Sequence, residues 1–250
     1  MTTPHSPFNR FHHVVVAVAD PEAVVADWSR LFGTPALPGR RVAVGDAWIE
    51  FTPPEGDRTG VVRVAVEVDD VAIVAERARA AGAAVTDNAG RTVIELSGVR
   101  IELRDEDGAL EPPGIPSFNR FHHVVVAVNN DDQATGVWNH VFGFTPAPEG
   151  PDGQLASHHV PVGDAWFGLT ATGTDAGAIG KFIERRGEGV YALALVVRDR
   201  ADFAASVAAA GGRILGEPDD FQVFVHPATT HGVLLELASE WPGGIRRPTP

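Results

Sequence analysis

Two histidine pairs and two isolated glutamates are the residues of this chain best placed to do chemistry. The stretch FNRFHHVVVAV occurs at Phe8–Val18 and again, letter for letter, at Phe118–Val128, 110 positions on. Each copy therefore carries adjacent histidines, His12–His13 and His122–His123. Near the end of each half a glutamate interrupts an apolar run: Glu102 in RIELR and Glu236 in LLELA. If these runs are strands, side chains alternate, and each glutamate lies opposite its aliphatic neighbours. When those neighbours pack beneath a helix, the carboxylate faces the other side of the sheet. There it is either neutralised by a cation or holds its proton to high pH, and both conditions make it a candidate general base. For the histidines, the structural alternative is a buried strand residue that hydrogen-bonds a neighbour.

The elements that must position these residues repeat as well. Trp28, Phe32 and Gly33 recur as Trp138, Phe142 and Gly143 at the same offset of 110. VGDAW at Val44–Trp48 recurs at Val162–Trp166, an offset of 118, so the second copy holds eight more residues around PEGPDGQLASHH. HHVVVAV is rich in β-branched residues and reads as a buried strand. DPEAVVADWSRLFG reads as a helix with Asp20 at the N-cap, Pro21 in its first turn and Gly33 as the stop. RRVAVGDAWIEFT reads as two strands turning at Gly45–Asp46. A second unit follows: VVRVAVEV as strand, DDVAIVAERARAAGA as helix, TVIELSGVRIELR as a hairpin turning at Ser97–Gly98. The later half repeats the plan with VYALALVV, DRADFAASVAAAGG and FQVFVHPATTHGVLLELAS. The fold class is α+β, with four βαβββ units in two tandem domains spanning 7–110 and 118–241. A Pro/Gly linker lies at 111–117 and a tail at 242–250.

Within HHVVVAV, alternation puts His13, Val15 and Ala17 on one face and His12, Val14, Val16 and Val18 on the other. The all-β-branched set suits packing under the helix. His13 and His123 are therefore expected to point away from the helices, and His12 and His122 to support the outer layer or the strand edge. Trp48 and Trp166 serve either as core packing or as an aromatic wall of a pocket. Trp28 and Trp138 lie on helices and read as structural, and Asp46 and Asp164 as turn residues.

Composition excludes several classes. The chain has 250 residues and a formal charge of −13, which disfavours nucleic acid and anionic membrane surfaces. It has no cysteine, so disulfides, thiolate ligands and cysteine nucleophiles are out. No apolar run reaches a membrane span of about 18 residues, and MTTPHSPFNR carries no leader signature. The expectation is a cytoplasmic, bacterial protein with a small-molecule ligand or substrate. A monomer with an internal pseudo-dimer fits the duplication, and a homodimer stays open.

Four such units, opening on HHVVVAV and closing on GVLLEL, resemble the vicinal oxygen chelate superfamily, which includes glyoxalase I, methylmalonyl-CoA epimerase, extradiol dioxygenases and bleomycin resistance proteins. The resemblance covers nearly the whole chain. From Lys181 to Ser239, KFIERRGEGVYALALVV and FVHPATTHGVLLELAS are similar to methylmalonyl-CoA epimerase. The resemblance implies two glyoxalase-like cups, each a partly closed sheet with helices outside. It also implies up to four ligands per cup for a divalent metal such as Zn, Mn, Fe, Ni or Co. Carried over residue by residue, the first cup offers His13, Glu50, Arg63 and Glu102, and the second His123, Gly168, Ala192 and Glu236.

Both sets depart from the family pattern. A guanidinium cannot ligate a metal. Either Arg63 pairs with Glu50 and Glu102 and stands in for the cation, or it swings aside to bind an anionic substrate while His13, Glu50 and Glu102 hold a metal. In the second cup two ligands remain, and GEGVYA lacks the histidines of the epimerase pattern GEGxHH. Tyr191 should face away. His158, His159, His226 and His231 are candidates for a relocated site that the sequence does not demand, and His226 matches the family's hairpin loop.

Two functions follow from the resemblance. One is a metal-assisted isomerase, epimerase or lyase acting on a small carbonyl or acyl-thioester compound, with Glu236 or Glu50 moving the proton. Trp48, Arg63, Trp166, Gly168, Ala192 and His226 would then line the substrate pockets. The other is a metal-free sequestering protein of the bleomycin-resistance type. A methylmalonyl-CoA epimerase itself is not expected, because the ligand set is incomplete. An extradiol dioxygenase would require a histidine at Ala192.

Overall fold

The structure is a computed structural model that describes residues 8–105, 118–144, 158–163, 165–171, 177–217, 220 and 222–239. The linker at 111–117, the tail at 242–250, Asp164 and most of the eight-residue insertion lie outside the described residues.

The four units form in chain order. The first comprises β1 (Phe8–Ala17), α1 (Pro21–Phe32), β2 (Ala36–Leu37), β3 (Arg41–Val44) and β4 (Ala47–Thr52). The second comprises β5 (Gly60–Val68), α2 (Val71–Ala80), β6 (Ala84–Asn88), β7 (Arg91–Leu96) and β8 (Val99–Arg104). The third comprises β9 (Phe118–Val128), α3 (Asp131–Phe142), β10 (His159–Val162) and β11 (Ala165–Ala171). The fourth comprises α4 (Ala178–Arg186), β12 (Gly189–Val197), α5 (Arg200–Ala209), β13 (Ile214–Leu215), β14 (Phe224–Val225) and β15 (Leu234–Ala238). The α4 helix has no counterpart in the first half and was not anticipated from sequence; its N-terminus, Gly177, has no side-chain cap to announce it.

Capping explains where the other helices begin. The carboxylates of Asp20, Asp70 and Asp199 and the amide oxygen of Asn130 each accept from a backbone N–H three residues on. Gly33 and Gly143 close α1 and α3 in the left-handed conformation.

The first sheet runs β2-β3-β4-β1-β5-β8-β7-β6 and the second β10-β11-β9-β12-β15-β14-β13. In each, the opening strands of two units pair antiparallel at the centre, β1 with β5 and β9 with β12. Parallel partners flank them: β4 and β8 in one half, β11 and β15 in the other. This is the tandem α+β arrangement of four units. Alternation sorts the faces as expected. Val14, Val16, Val64, Val66, Ile101 and Leu103 join the helix-side core, whereas Trp48 and Ala65 are buried outside that cluster on the opposite face.

One apolar core runs through both halves. Phe11 meets Phe121 and Phe167 at ring separations of 5.7 and 5.1 Å. Phe118 packs on Phe32 and Phe203 at 5.6 and 5.3 Å. Two hairpin tips lock into the other half. Gly45 donates to the Phe118 carbonyl at 3.0 Å, and Trp138 Nε1 donates to Ser97 Oγ at 3.2 Å. Part of the reason the opening strand recurs is therefore structural, since Phe11, Phe118 and Phe121 join the halves. Among the described residues, no helix is long and apolar enough to cross a membrane.

Candidate active site

Strand pairing sets the candidate residues out in rows across each inner face. In the first half one row reads Trp48, His13, Ala65, Glu102 across β4, β1, β5 and β8. The next reads Glu50, Val15, Arg63. In the second half the corresponding rows are Trp166, His123, Ala194, Glu236 and Gly168, Val125, Ala192. Residues two strands apart have backbones about 10 Å apart. A single alanine between histidine and glutamate leaves their side chains free to close that gap.

One sequence expectation fails here. His12 and His122 do not serve the outer layer. The β1–β5 ladder shifts register between Phe11 and His13, and β12–β9 shifts at the matching place, between Ala194 and Leu195. Each shift is a bulge, which interrupts strict alternation and brings two successive side chains toward one face. His12 thus lies 4.5 Å from the Trp48 ring, with its Nδ1 2.7 Å from Nδ1 of His13. His122 repeats this with Trp166 at 4.4 Å and with His123 Nδ1 at 2.8 Å. The second histidine of each pair stacks flat on its tryptophan, at 4.9 Å for His13 and 5.1 Å for His123. The tryptophans are therefore walls of the inner face.

Beyond these shared residues the two cups differ. In the first, Glu102 is buried and pinned by two cations, Arg63 Nε at 3.1 Å and Arg104 Nη1 at 3.0 Å. Arg41 reaches Glu50 at 3.3 Å and lies over the Trp48 ring at 5.0 Å. Below them Arg10 grips buried Glu67 with two nitrogens, at 2.9 and 2.5 Å. Burial lowers the His13 pKa to about 3, helped by His12 and then by Arg63, Arg104 and Arg41. Arg41, Arg104 and the Arg10–Glu67 pair were not legible from sequence, because register rather than spacing delivers them. These residues do not fit a metal: guanidinium groups occupy the carboxylates that would bind one.

In the second cup nearly all of that charge is gone. By register, Ala192 stands for Arg63, Ala238 for Arg104, Val196 for Glu67, Gly168 for Glu50 and His159 for Arg41. Glu236 instead meets His123, with Nε2 to Oε2 at 3.4 Å, and no arginine or lysine pairs with it among the described residues. An imidazole nitrogen and a carboxylate oxygen at that separation, in a buried setting, fit a divalent ion. Burial, then His123 and Arg120, lowers the His122 pKa to about 3, so His122 stays neutral. His159 is similarly lowered to about 4 by burial and by the neighbouring histidines 123 and 158.

The remaining candidates sit elsewhere. His226 accepts from Ala228 N through its Nδ1 at 3.0 Å, in the turn that follows β14. His231 ties to Asp27 of the first half at 3.0 Å. His158 faces outward to Thr135 Oγ1 at 3.2 Å and forms a surface cluster with Asp131 and Asp132 at the start of α3. Tyr191 packs edge-on against Phe182 of α4 at 5.5 Å.

One family model matches the sequence twice, over residues 10–110 and 120–237. The chain belongs to the Glyoxalase/Bleomycin resistance protein/Dioxygenase superfamily. Its structure is similar to that of a triple mutant of 4-hydroxymandelate synthase from Streptomyces coelicolor. The TM-score is 0.70 and the identity 17%, with 93% of each chain covered. It is also similar to a xylose isomerase-like TIM barrel/4-hydroxyphenylpyruvate dioxygenase fusion protein, with a TM-score of 0.65 and 13% identity. That match covers 98% of this chain and 51% of the fusion. At such identities the likeness concerns the fold. No curated protein matches the sequence.

Proposed function

We propose that the second cup is the active site of a metal-assisted isomerase, epimerase or lyase acting on a small carbonyl or acyl-thioester compound, and that the first cup is a metal-free counterpart. The observation that carries this is the contrast at one glutamate. Glu102 is held by Arg63 and Arg104, whereas Glu236 lies 3.4 Å from His123 and, among the described residues, no arginine or lysine pairs with it.

In this reading His123 Nδ1–H donates to His122, and Nε2 presents its lone pair beside Glu236. A partner on the far nitrogen is the usual way a ligating histidine is oriented. A bound divalent ion supplies Lewis-acid stabilisation for charge developing on a substrate oxygen. The chain supplies the rest. Trp166 forms a flat wall, with the small residues Gly168, Ala192 and Ala194 on the same inner face. Glu236 has a second carboxylate oxygen to take a proton from the carbon next to the carbonyl, whose oxygen receives the electron pair. The same glutamate returns the proton to complete an isomerisation.

The test is hydrogen–deuterium exchange at the α-carbon of small 2-oxo acids, hydroxyketones and acyl thioesters, followed by NMR. Metal-loaded protein should catalyse exchange, and Glu236→Gln should abolish it. Exchange that ignores both the metal and Glu236 would refute the proposal. The small residues beside Trp166 also favour a second reading, sequestration of a flat ligand. That reading predicts quenching of Trp166 fluorescence by ligand in protein that takes up no metal.

A further inference from the structure

We infer that His159 is a metal ligand of the second cup, taking over the place that Glu50 holds in the first. This rests on the reading that the second cup binds a divalent ion.

Strand register sets the two cups apart at one pair of positions. In the first half β3 and β4 set Arg41 opposite Glu50, and the two pair at 3.3 Å. In the second half β10 and β11 set His159 opposite Gly168. Both members of the pair differ together. The cation has become an imidazole, and the carboxylate has become a residue with no side chain. Arginine opposite glycine would have left the cup with an unpaired charge. Histidine opposite glycine leaves a neutral donor ligand and a gap.

The gap is where the imidazole lies. A Cβ placed on Gly168 would be 3.6 Å from Cδ2 and 3.8 Å from Nε2 of His159. The ring thus sits over position 168, with Nε2 near the point where a glutamate side chain would begin. The Trp166 ring, 5.6 Å away and inclined at 67°, flanks it. Its neighbour His158 turns the other way, to Thr135 and the surface cluster with Asp131 and Asp132. The adjacent histidines of the insertion therefore face opposite directions, and only His159 enters the cup.

The resulting set is His123 Nε2, Glu236 Oε2 and His159 Nε2, from β9, β15 and β10. The three atoms are not all within 4.8 Å of one another. In the proposed site the His159 ring turns toward the other two ligands over Gly168, which carries no side chain there. Two imidazoles and one carboxylate suit Fe, Mn, Co, Ni or Zn and leave coordination positions for substrate oxygens. At Ala192, where the family pattern would place a histidine, the side chain is a methyl group that ligates nothing.

Cobalt(II) titration read by visible absorption and calorimetry tests the assignment without any substrate. Wild-type protein should bind one Co(II) in the cup, and His159→Ala should weaken that site at least about 100-fold, the upper end of what even outer-shell changes cost. Adding Gly168→Glu to His159→Ala should recover most of the loss, which a merely structural role for His159 would not allow. His158→Ala should bind as wild type does. If His159→Ala keeps wild-type affinity while His123→Ala loses it, His159 is not a ligand although the cup still binds metal. If wild type binds no metal, or His123→Ala binds unchanged, the underlying reading falls and this inference with it. Loss in His158→Ala with no loss in His159→Ala would place the ion on the surface cluster and overturn the assignment.

Discussion

Arg63→Ala probes the claim that the first cup is neutralised from within. Glu102 is buried, and its two oxygens face Arg63 at 3.1 Å and Arg104 at 3.0 Å. Removing one partner of a fully buried pair costs about 3–5 kcal/mol. Two features reduce that here. Arg104 remains, and Arg63 is 25% exposed, so water and salt screen part of its interaction. The expected loss is about 1–2 kcal/mol, which for a chain of this size lowers the melting temperature by roughly 2–8 °C. Thermal unfolding at pH 7, by circular dichroism or calorimetry, measures it. A second consequence is specific to the proposed role. With Arg63, Arg41 and Arg104 all replaced by alanine, His13, Glu50 and Glu102 regain the composition of a metal site. In a His123→Ala background, which silences the second cup, that triple variant should gain a metal-dependent rise in melting temperature that the arginine-containing protein lacks. A melting temperature unchanged within about 1 °C, with no metal response, would refute the idea that Arg63 substitutes for an ion.

Stability should depend on pH through the paired histidines. His13 and His122 titrate near 3 when folded, whereas an unfolded histidine titrates near 6.5. The unfolded chain binds the extra protons first, so stability falls as pH drops from about 6.5 toward 3, by at most about 1.4 kcal/mol per unit per histidine. A His13→Ala/His122→Ala variant should show a shallower slope in urea titrations over that range. The hairpin tip at Gly98 should tolerate no side chain: φ is +70°, and a Cβ there would sit 2.1 Å from the Glu188 carbonyl oxygen. Gly98→Ala should cost more than about 3 kcal/mol in chemical denaturation. Gly82→Ala has a similar φ of +78° but open space, so only the backbone penalty of about 1–2 kcal/mol should appear. Equal costs for the two would show that the contact between halves adds nothing. Asp20→Ala removes the α1 cap and should cost about 1 kcal/mol.

Much of this architecture was legible in the sequence because it is written twice. Repetition gave the units, alternation gave the inner face, and the capping residues gave the helix starts. The row from His123 through Ala194 to Glu236 follows once strands are paired, and its ends were recognisable from residue type. The bulge was not legible. Nothing in FNRFHHVVVAV marks the extra residue that turns His12 and His122 inward. Arg41 and Arg104 escaped notice for another reason. Each looks like a solvent-facing strand residue until the ladder places it beside a glutamate. His159 was visible only as one of several histidines near a turn, since its meaning depends on facing Gly168 across β10–β11. The identical opening strands thus serve a shared scaffold, with a histidine pair and a tryptophan wall in each cup. The two cups differ on the strands around them, where Arg63, Arg104, Arg41, Glu50 and Glu67 give way to Ala192, Ala238, His159, Gly168 and Val196.

The most direct test of that division is a calorimetric titration of the purified chain with Zn, Mn or Co, repeated on His123→Ala and His13→Ala. The account predicts one cup-bound ion per chain in wild type, lost in His123→Ala and retained in His13→Ala. Loss in His13→Ala with retention in His123→Ala, or no ion bound by wild-type protein, would contradict it.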